Sequence, residues 1–155
     1  MVEDASELIA DAVGRQPRDI TEHEAMMRAH LEVFRAAEQD SAMSASFDRV
    51  RGMLQIVNSS PALGLAAFEF RPQGPTRPVI EAMARRMGVS THHPATRVLF
   101  DTWAVLMATA CGHAGAEVGG PGAVSDRIEA TYAVFTRLWQ PWEGPERTRR
   151  GGPGR

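Results

Sequence analysis

A chain of 155 residues that is 43% hydrophobic and 23% charged can bury a real core, so it reads as one soluble globular domain. Its net charge of −2 gives no global field to draw it onto nucleic acid or an anionic membrane. The single cysteine, Cys111, excludes an intramolecular disulfide and suits a reducing compartment, and the polar start MVEDASE lacks a basic-then-apolar leader, so a cytoplasmic location is expected.

Taken in chain order, the apolar residues recur at helical spacing, and no stretch alternates at period two. A short first helix is predicted over Ala5 to Val13, ended by Gly14 and followed by the loop RQPRDI. Thr21-Glu-His-Glu24 is a capping-box pattern, and behind it Met27, Leu31 and Phe34 make one apolar stripe running to about Glu38. A third helix from Asp40 or Ser41 aligns Met43, Phe47, Val50, Leu54 and Val57 and stops at Asn58-Ser59-Ser60-Pro61. Ser60 can cap the next helix, Ala62 to about Phe70, with Pro61 in the first turn. Arg71-Pro72 breaks that helix.

The pattern resumes near Pro78 and ends at Gly88 behind Arg85 and Arg86, cations suited to a helix C-terminus. His93-Pro94 opens a long apolar helix to about Ala114. Its most apolar run, Val98 to Cys111, is too short for a bilayer and contains Asp101, so it reads as a buried helix. After Gly119-Gly120-Pro121, the last helix carries the stripe Val124, Ile128, Tyr132, Phe135 and Trp139. Residues 141–155, rich in Pro, Gly and Arg, read as a disordered tail. The expectation is one all-α domain of about six helices over residues 1–140.

The run MLQIVNSSPALGLAAFEF, then EAMARRMGV, then HHPATRVLFDTWAVLMATACGHAG and a closing amphipathic helix, resembles the C-terminal regulatory domain of TetR-family transcriptional regulators. The resemblance lies in segment order, length and punctuation, covers roughly residues 3–140, and includes no catalytic signature. It implies a TetR C-terminal-like helical bundle that binds an apolar small-molecule effector and pairs as a homodimer through its last two helices. In that family a small helix-turn-helix domain stands before these helices and binds the operator. No basic three-helix unit of that kind occurs in this sequence, so contact with DNA is expected only through such a head, not through these residues alone.

The resemblance also assigns candidate residues. Met27, Leu31, Phe34, Met53, Phe68, Met83, Trp103 and Met107 come from helices that would surround the cavity, where methionine's adaptable side chain suits varied apolar ligands. The same residues at helical spacing also serve simply as core. Ala104, Ala108 and Gly112, four apart, form a groove for close helix approach, and with Tyr132, Phe135 and Trp139 they are the candidate dimer interface. Close packing within one chain would use the same groove. The Pro72–Pro78 break is either an entrance to the cavity, with Phe68 and Phe70 on one side and Arg71 and Arg77 on the other, or a surface loop.

No metal, cofactor or catalytic site is expected. His23 and His30 share a helix face but lie about 10 Å apart along the axis, too far for two ligands at ~2.1 Å from one zinc. Cys111 and His113 point about 200° apart around their helix, so His113 cannot activate Cys111. His92 and His93 precede a helix, where His93 can act as a weak cap. GGPGAV has neither the preceding strand nor the Lys-Ser/Thr pair of a phosphate loop. Asp101, if buried, needs a partner such as Arg97, one turn back. The four arginines of the tail would give only weak, salt-sensitive contact with phosphates. The alternatives to an effector-sensing domain are a stand-alone helical interaction module and a cavity repurposed as a small enzyme.

Overall fold

The structure, a computed structural model, describes residues 2–40, 52, 70–111 and 121–139. Among them there are five helices and no strand: α1 (Val2–Arg15), α2 (Glu22–Gln39), α3 (Arg77–Met87), α4 (Pro94–Cys111) and α5 (Pro121–Leu138). The predicted helices over 41–57 and 62–70 and the tail from 141 lie outside the described residues, apart from Gly52, which is helical, and Phe70, which is not. Helix α1 packs along α2 and α3, while α5 packs along α2 and α4. The largest fully buried side chains include Val13, Met26, Ile80, Met83, Val124 and Ile128, drawn from four of the helices. Each of these stabilises the fold by about 1.5–3 kcal/mol through removal of apolar surface from water.

Local chemistry sets most helix ends. Helix α1 begins at Val2 and runs through Gly14 to Arg15, so the predicted stop at Gly14 is corrected. Gly14 has no positive φ; the chain leaves the helix at Gln16, where Pro17 disfavours another helical residue before it. Gln16 completes the end, its Nε2 donating to Ala12 O at 3.2 Å. Thr21 caps α2, its hydroxyl accepting from the Glu24 N–H at 3.2 Å. The return half of the predicted capping box is spent elsewhere, since the Glu24 carboxylate takes Arg28 at 2.6 Å. At α4, the predicted cap is present: His93 Nδ1 accepts from the Ala95 N–H at 3.1 Å.

The C-terminus of α3 is the most fully satisfied helix end. Gly88 adopts φ 69°, which a Cβ would strain. That turn brings the Gly88 N–H to Arg85 O at 3.2 Å and the Val89 N–H to Ala84 O at 3.0 Å. Arg18 Nη1 donates to the next carbonyl, Arg86 O, at 3.0 Å. Arg86 itself folds back under the α1–α2 loop. Its side chain, only 5% exposed, donates from Nε to Glu22 Oε2 at 2.7 Å, from Nη1 to Gln16 O at 3.1 Å, and from Nη2 to Pro17 O and Ile20 O.

The proline-rich stretch before α3 closes on itself. Gly74 N–H donates to Arg71 O at 2.8 Å and Arg77 N–H to Gly74 O at 3.0 Å, so two successive turns supply partners that a helix would otherwise provide. Pro78 then lies in the first turn of α3, where its missing N–H is harmless.

Replacing Arg86 with Leu strands three loop carbonyls and a carboxylate. Urea denaturation is expected to show a loss of about 2–3 kcal/mol. Arg86→Lys recovers less than half, because one ammonium cannot fork among four acceptors. An Arg86→Leu chain as stable as the parent contradicts this account.

Candidate functional site

The buried face of α2 is built on Ala25, Met26, Ala29, His30, Leu31, Val33 and Ala37. The predicted stripe of Met27, Leu31 and Phe34 lies at its margin: Leu31 is buried, but Met27 and Phe34 only half-buried against the core. The shift follows from packing on two sides. Helices α1 and α5 both lie along α2, and the alanines let them approach closely. A reading weighted toward large residues could not locate a face to which alanine contributes three of seven residues.

His30 is the unusual member of that face. It is 9% exposed, and its Nδ1 lies 2.8 Å from Met26 O, one turn back. A carbonyl only accepts, so Nδ1 carries the proton and Nε2 presents a lone pair. From α4, whose inward stripe is Leu99, Trp103, Leu106, Met107 and Ala110, Trp103 brings its ring to 4.8 Å from the His30 ring at 46°. Phe34 approaches from the other side, edge-on at 6.1 Å. Trp103 is 5% exposed, and among the described residues its buried indole Nε1–H has no hydrogen-bond partner. Leaving such a donor unmet costs about 1–3 kcal/mol. Burial pushes the His30 imidazole down to about 4, against a smaller opposing effect of the Met26 hydrogen bond, so the ring is neutral at pH 7.

Of the candidate ligand residues, Leu31, Met83, Trp103 and Met107 are buried in one apolar cluster, with Met27 and Phe34 packed against it. Met53 and Phe68 lie outside the described residues. Met26 and His30, which the sequence did not single out for the interior, sit in the same region. The available signal for His30 was its position one turn after Met26 on an alanine-rich face.

The edge of this interior is formed by Phe70, the predicted last residue of the fourth helix, which is not helical. Phe70 meets Phe100 with ring centres 5.8 Å apart, and Arg97 lies over the Phe70 ring at 5.4 Å. The arginine beside this aromatic is thus Arg97 of α4, while Arg77 pairs with Glu81 at 2.7 Å. Arg97 also pairs with Asp101 at 2.7 Å, as the sequence suggested, but both side chains are exposed, so Asp101 is not a buried carboxylate.

The candidate interface residues divide. Ala104 and Ala108 are half-buried, and Gly112 lies outside the described residues. Tyr132 and Phe135 turn toward the start of α2 within the same chain. The Phe135 ring lies 5.2 Å from His23 and 6.0 Å from Tyr132, and the Tyr132 hydroxyl is hydrogen-bonded with Thr21. Trp139 meets Phe135 edge-on at 5.8 Å yet is 77% exposed. The large apolar side chains facing outward on the last two helices are Val98, Val105, Val134, Leu138 and Trp139. On α4 the exposed positions Val98, Val105 and Thr109 and the half-buried Thr102 are spaced four, three and four apart, a heptad seam. Both threonine hydroxyls bond back to their own helix, Thr102 donating to Val98 O at 2.7 Å and Thr109 to Val105 O at 2.8 Å.

No described helix is long and apolar enough to cross a membrane. Compared with known proteins, the chain matches no family model, no curated protein and no solved structure.

The neutral His30 generates a pH dependence. The unfolded chain binds the proton near 6.5 and the folded one near 4, so stability is fully present above 6.5 and falls as pH drops through that window. The loss approaches about 3 kcal/mol by pH 4. His23, also lowered by burial, acts in the same direction. Denaturation at pH 7 and pH 4.5 is expected to show a smaller pH difference for His30→Phe than for the parent chain; an equal difference refutes the assignment.

Proposed function

We propose that this chain is the effector-sensing and dimerisation domain of a TetR-like transcriptional regulator, binding an apolar small molecule between α2, α3 and α4. The observation that carries the reading is the interior itself: an apolar cluster from Met26, Leu31, Met83, Trp103 and Met107 that contains an unmet indole donor and a neutral imidazole. A mostly apolar space with a few inward polar groups is the composition small-molecule sites share. The domain acts by binding, with no turnover, and the resemblance in segment order supplies the family.

The route of the signal runs through α1. In the resembled regulators the DNA-binding head is joined ahead of this helix. Here α1 packs on α2 and α3, and the Arg86 hydrogen bonds tie the loop after α1 to the end of α3. A ligand that binds better when α2 or α3 is displaced biases α1 by its differential affinity for the two positions. Dimerisation uses the outward faces of α4 and α5, where the Val98–Thr109 seam and Val134, Leu138 and Trp139 offer a second copy an apolar surface.

The exposed seam equally favours a second reading, a stand-alone interaction module that dimerises without a ligand. Two measurements separate them. An effector domain gains thermal stability with apolar ligand concentration, reaching about 2.7 kcal/mol at one hundred times the dissociation constant. It also sediments as a dimer that Val105→Glu with Val134→Glu converts to a helical monomer. A dimer with no ligand response leaves the module; a monomer with no ligand response removes both.

A further inference from the structure

Helix α2 ends on an acid. Glu38 lies in its last turn, which holds no basic residue, and an acidic charge there opposes the helix's own macrodipole. Seen along its own helix, the charge is misplaced; seen across the helix boundary, it has a use. Helices α2 and α5 run antiparallel, with His23 against Phe135, Arg35 paired with Glu129 at 2.9 Å, and Glu38 against Gly122. A Cβ built on Gly122 would fall on Glu38 Oε1 and within 2.9 Å of its Cδ, so the carboxylate rests directly over the Gly122 backbone. Gly122 is the second residue of α5, and the first turn of that helix contains no acid of its own. Arg35, one turn back from Glu38, is taken by Glu129.

We propose that Glu38 is a charge latch that seats the amino end of α5 on the carboxyl end of α2, and that position 122 is glycine because a side chain there would hold the latch open. The first N–H groups of a helix have no partner within it and carry its positive pole, so a carboxylate over the start of α5 is favourable. The same carboxylate is unfavourable to α2, and only the packing of the two helices explains its place. Gly122 has no conformational reason of its own, since its φ is not positive, and glycine costs a helix stability relative to alanine. The close approach of Glu38 supplies the reason. Glu38 is exposed, so the latch acts through charge and position rather than burial, and salt screens it. Because α5 carries Val134 and Leu138 outward, the latch sets where that face stands relative to α2. None of this requires a bound effector.

The test is a double-mutant cycle on the full chain, read from urea denaturation as the ratio of folded to unfolded molecules. Helix propensity alone makes Gly122→Ala stabilising, raising that ratio about two- to fivefold. The α2 dipole alone makes Glu38→Gln stabilising as well. With the latch, Glu38→Gln instead lowers the ratio about two- to fivefold at low salt, and by less than about twofold in about 1 M NaCl. Gly122→Ala brings no gain in the parent chain, because the new methyl group displaces the carboxylate, yet brings the full gain in a Glu38→Ala background. If Gly122→Ala stabilises both backgrounds equally, or Glu38→Gln leaves the ratio unchanged or raises it, the latch is overturned.

Discussion

The fold depends on one side chain more than on any other. Arg86 leaves the last turn of α3, enters the space under the loop between α1 and α2, and divides its donors among Gln16, Pro17, Ile20 and Glu22. The loop between α1 and α2 carries carbonyls with no helical partner, those of Gln16 and Ile20 part-buried, and an unpaired buried carbonyl is costly. A planar, permanently charged guanidinium with five donors can satisfy several of them at once, which an ammonium cannot. Arg18 answers in the reverse direction, from the loop to the Arg86 carbonyl, so loop and helix end hold each other. The arrangement helps fix the position of α1 against α3, and α1 packs along α2 as well.

The interior that this frame supports is mostly apolar, and within it the His30 and Trp103 rings meet, tilted at 46° with centres 4.8 Å apart. His30 is kept neutral by burial, and Trp103 points a donor into a region where, among the described residues, nothing receives it. Evolution tolerates such groups when they do something besides pack, since each costs stability that an isosteric phenyl ring would not. Their position between α2 and α4 matters for the proposed role. In the proposed role, a molecule held between α2 and α4 would couple those two helices, and α2 packs along α1.

The outward faces of α4 and α5 follow a different rule. There, valines and a leucine are exposed at spacings that suit another helix, and the intervening threonines spend their hydroxyls on their own backbone. That removes the polar obstacle to burial without removing the β-branched shape. Closer to the end of α5, the predicted inward stripe fades from fully buried Val124 and Ile128 to half-buried Tyr132 and Phe135 and exposed Trp139, as the helix runs past its neighbours.

Local physics was legible in the amino-acid order. The absence of period-two alternation gave an all-helical chain, and Thr21, His93 and Gly88 marked helix ends because a cap or a left-handed turn is decided by a few adjacent residues. The Arg97–Asp101 pair was equally readable, being one helical turn apart. Gly14 misled, because a glycine permits a helix to end without requiring it, and Pro17 set the boundary. What the order of residues could not decide was which groups meet from distant helices. Arg86 looked like an ordinary cation at a helix C-terminus, and its partners are more than sixty positions away. His30 looked like an isolated histidine, and only the packing of α4 against α2 gives it Trp103, seventy-three positions on, as a neighbour. The sequence alone determined that helices form and where several of them stop, since those energies are local; tertiary structure decided which polar groups are buried together, since that depends on how the finished helices pack.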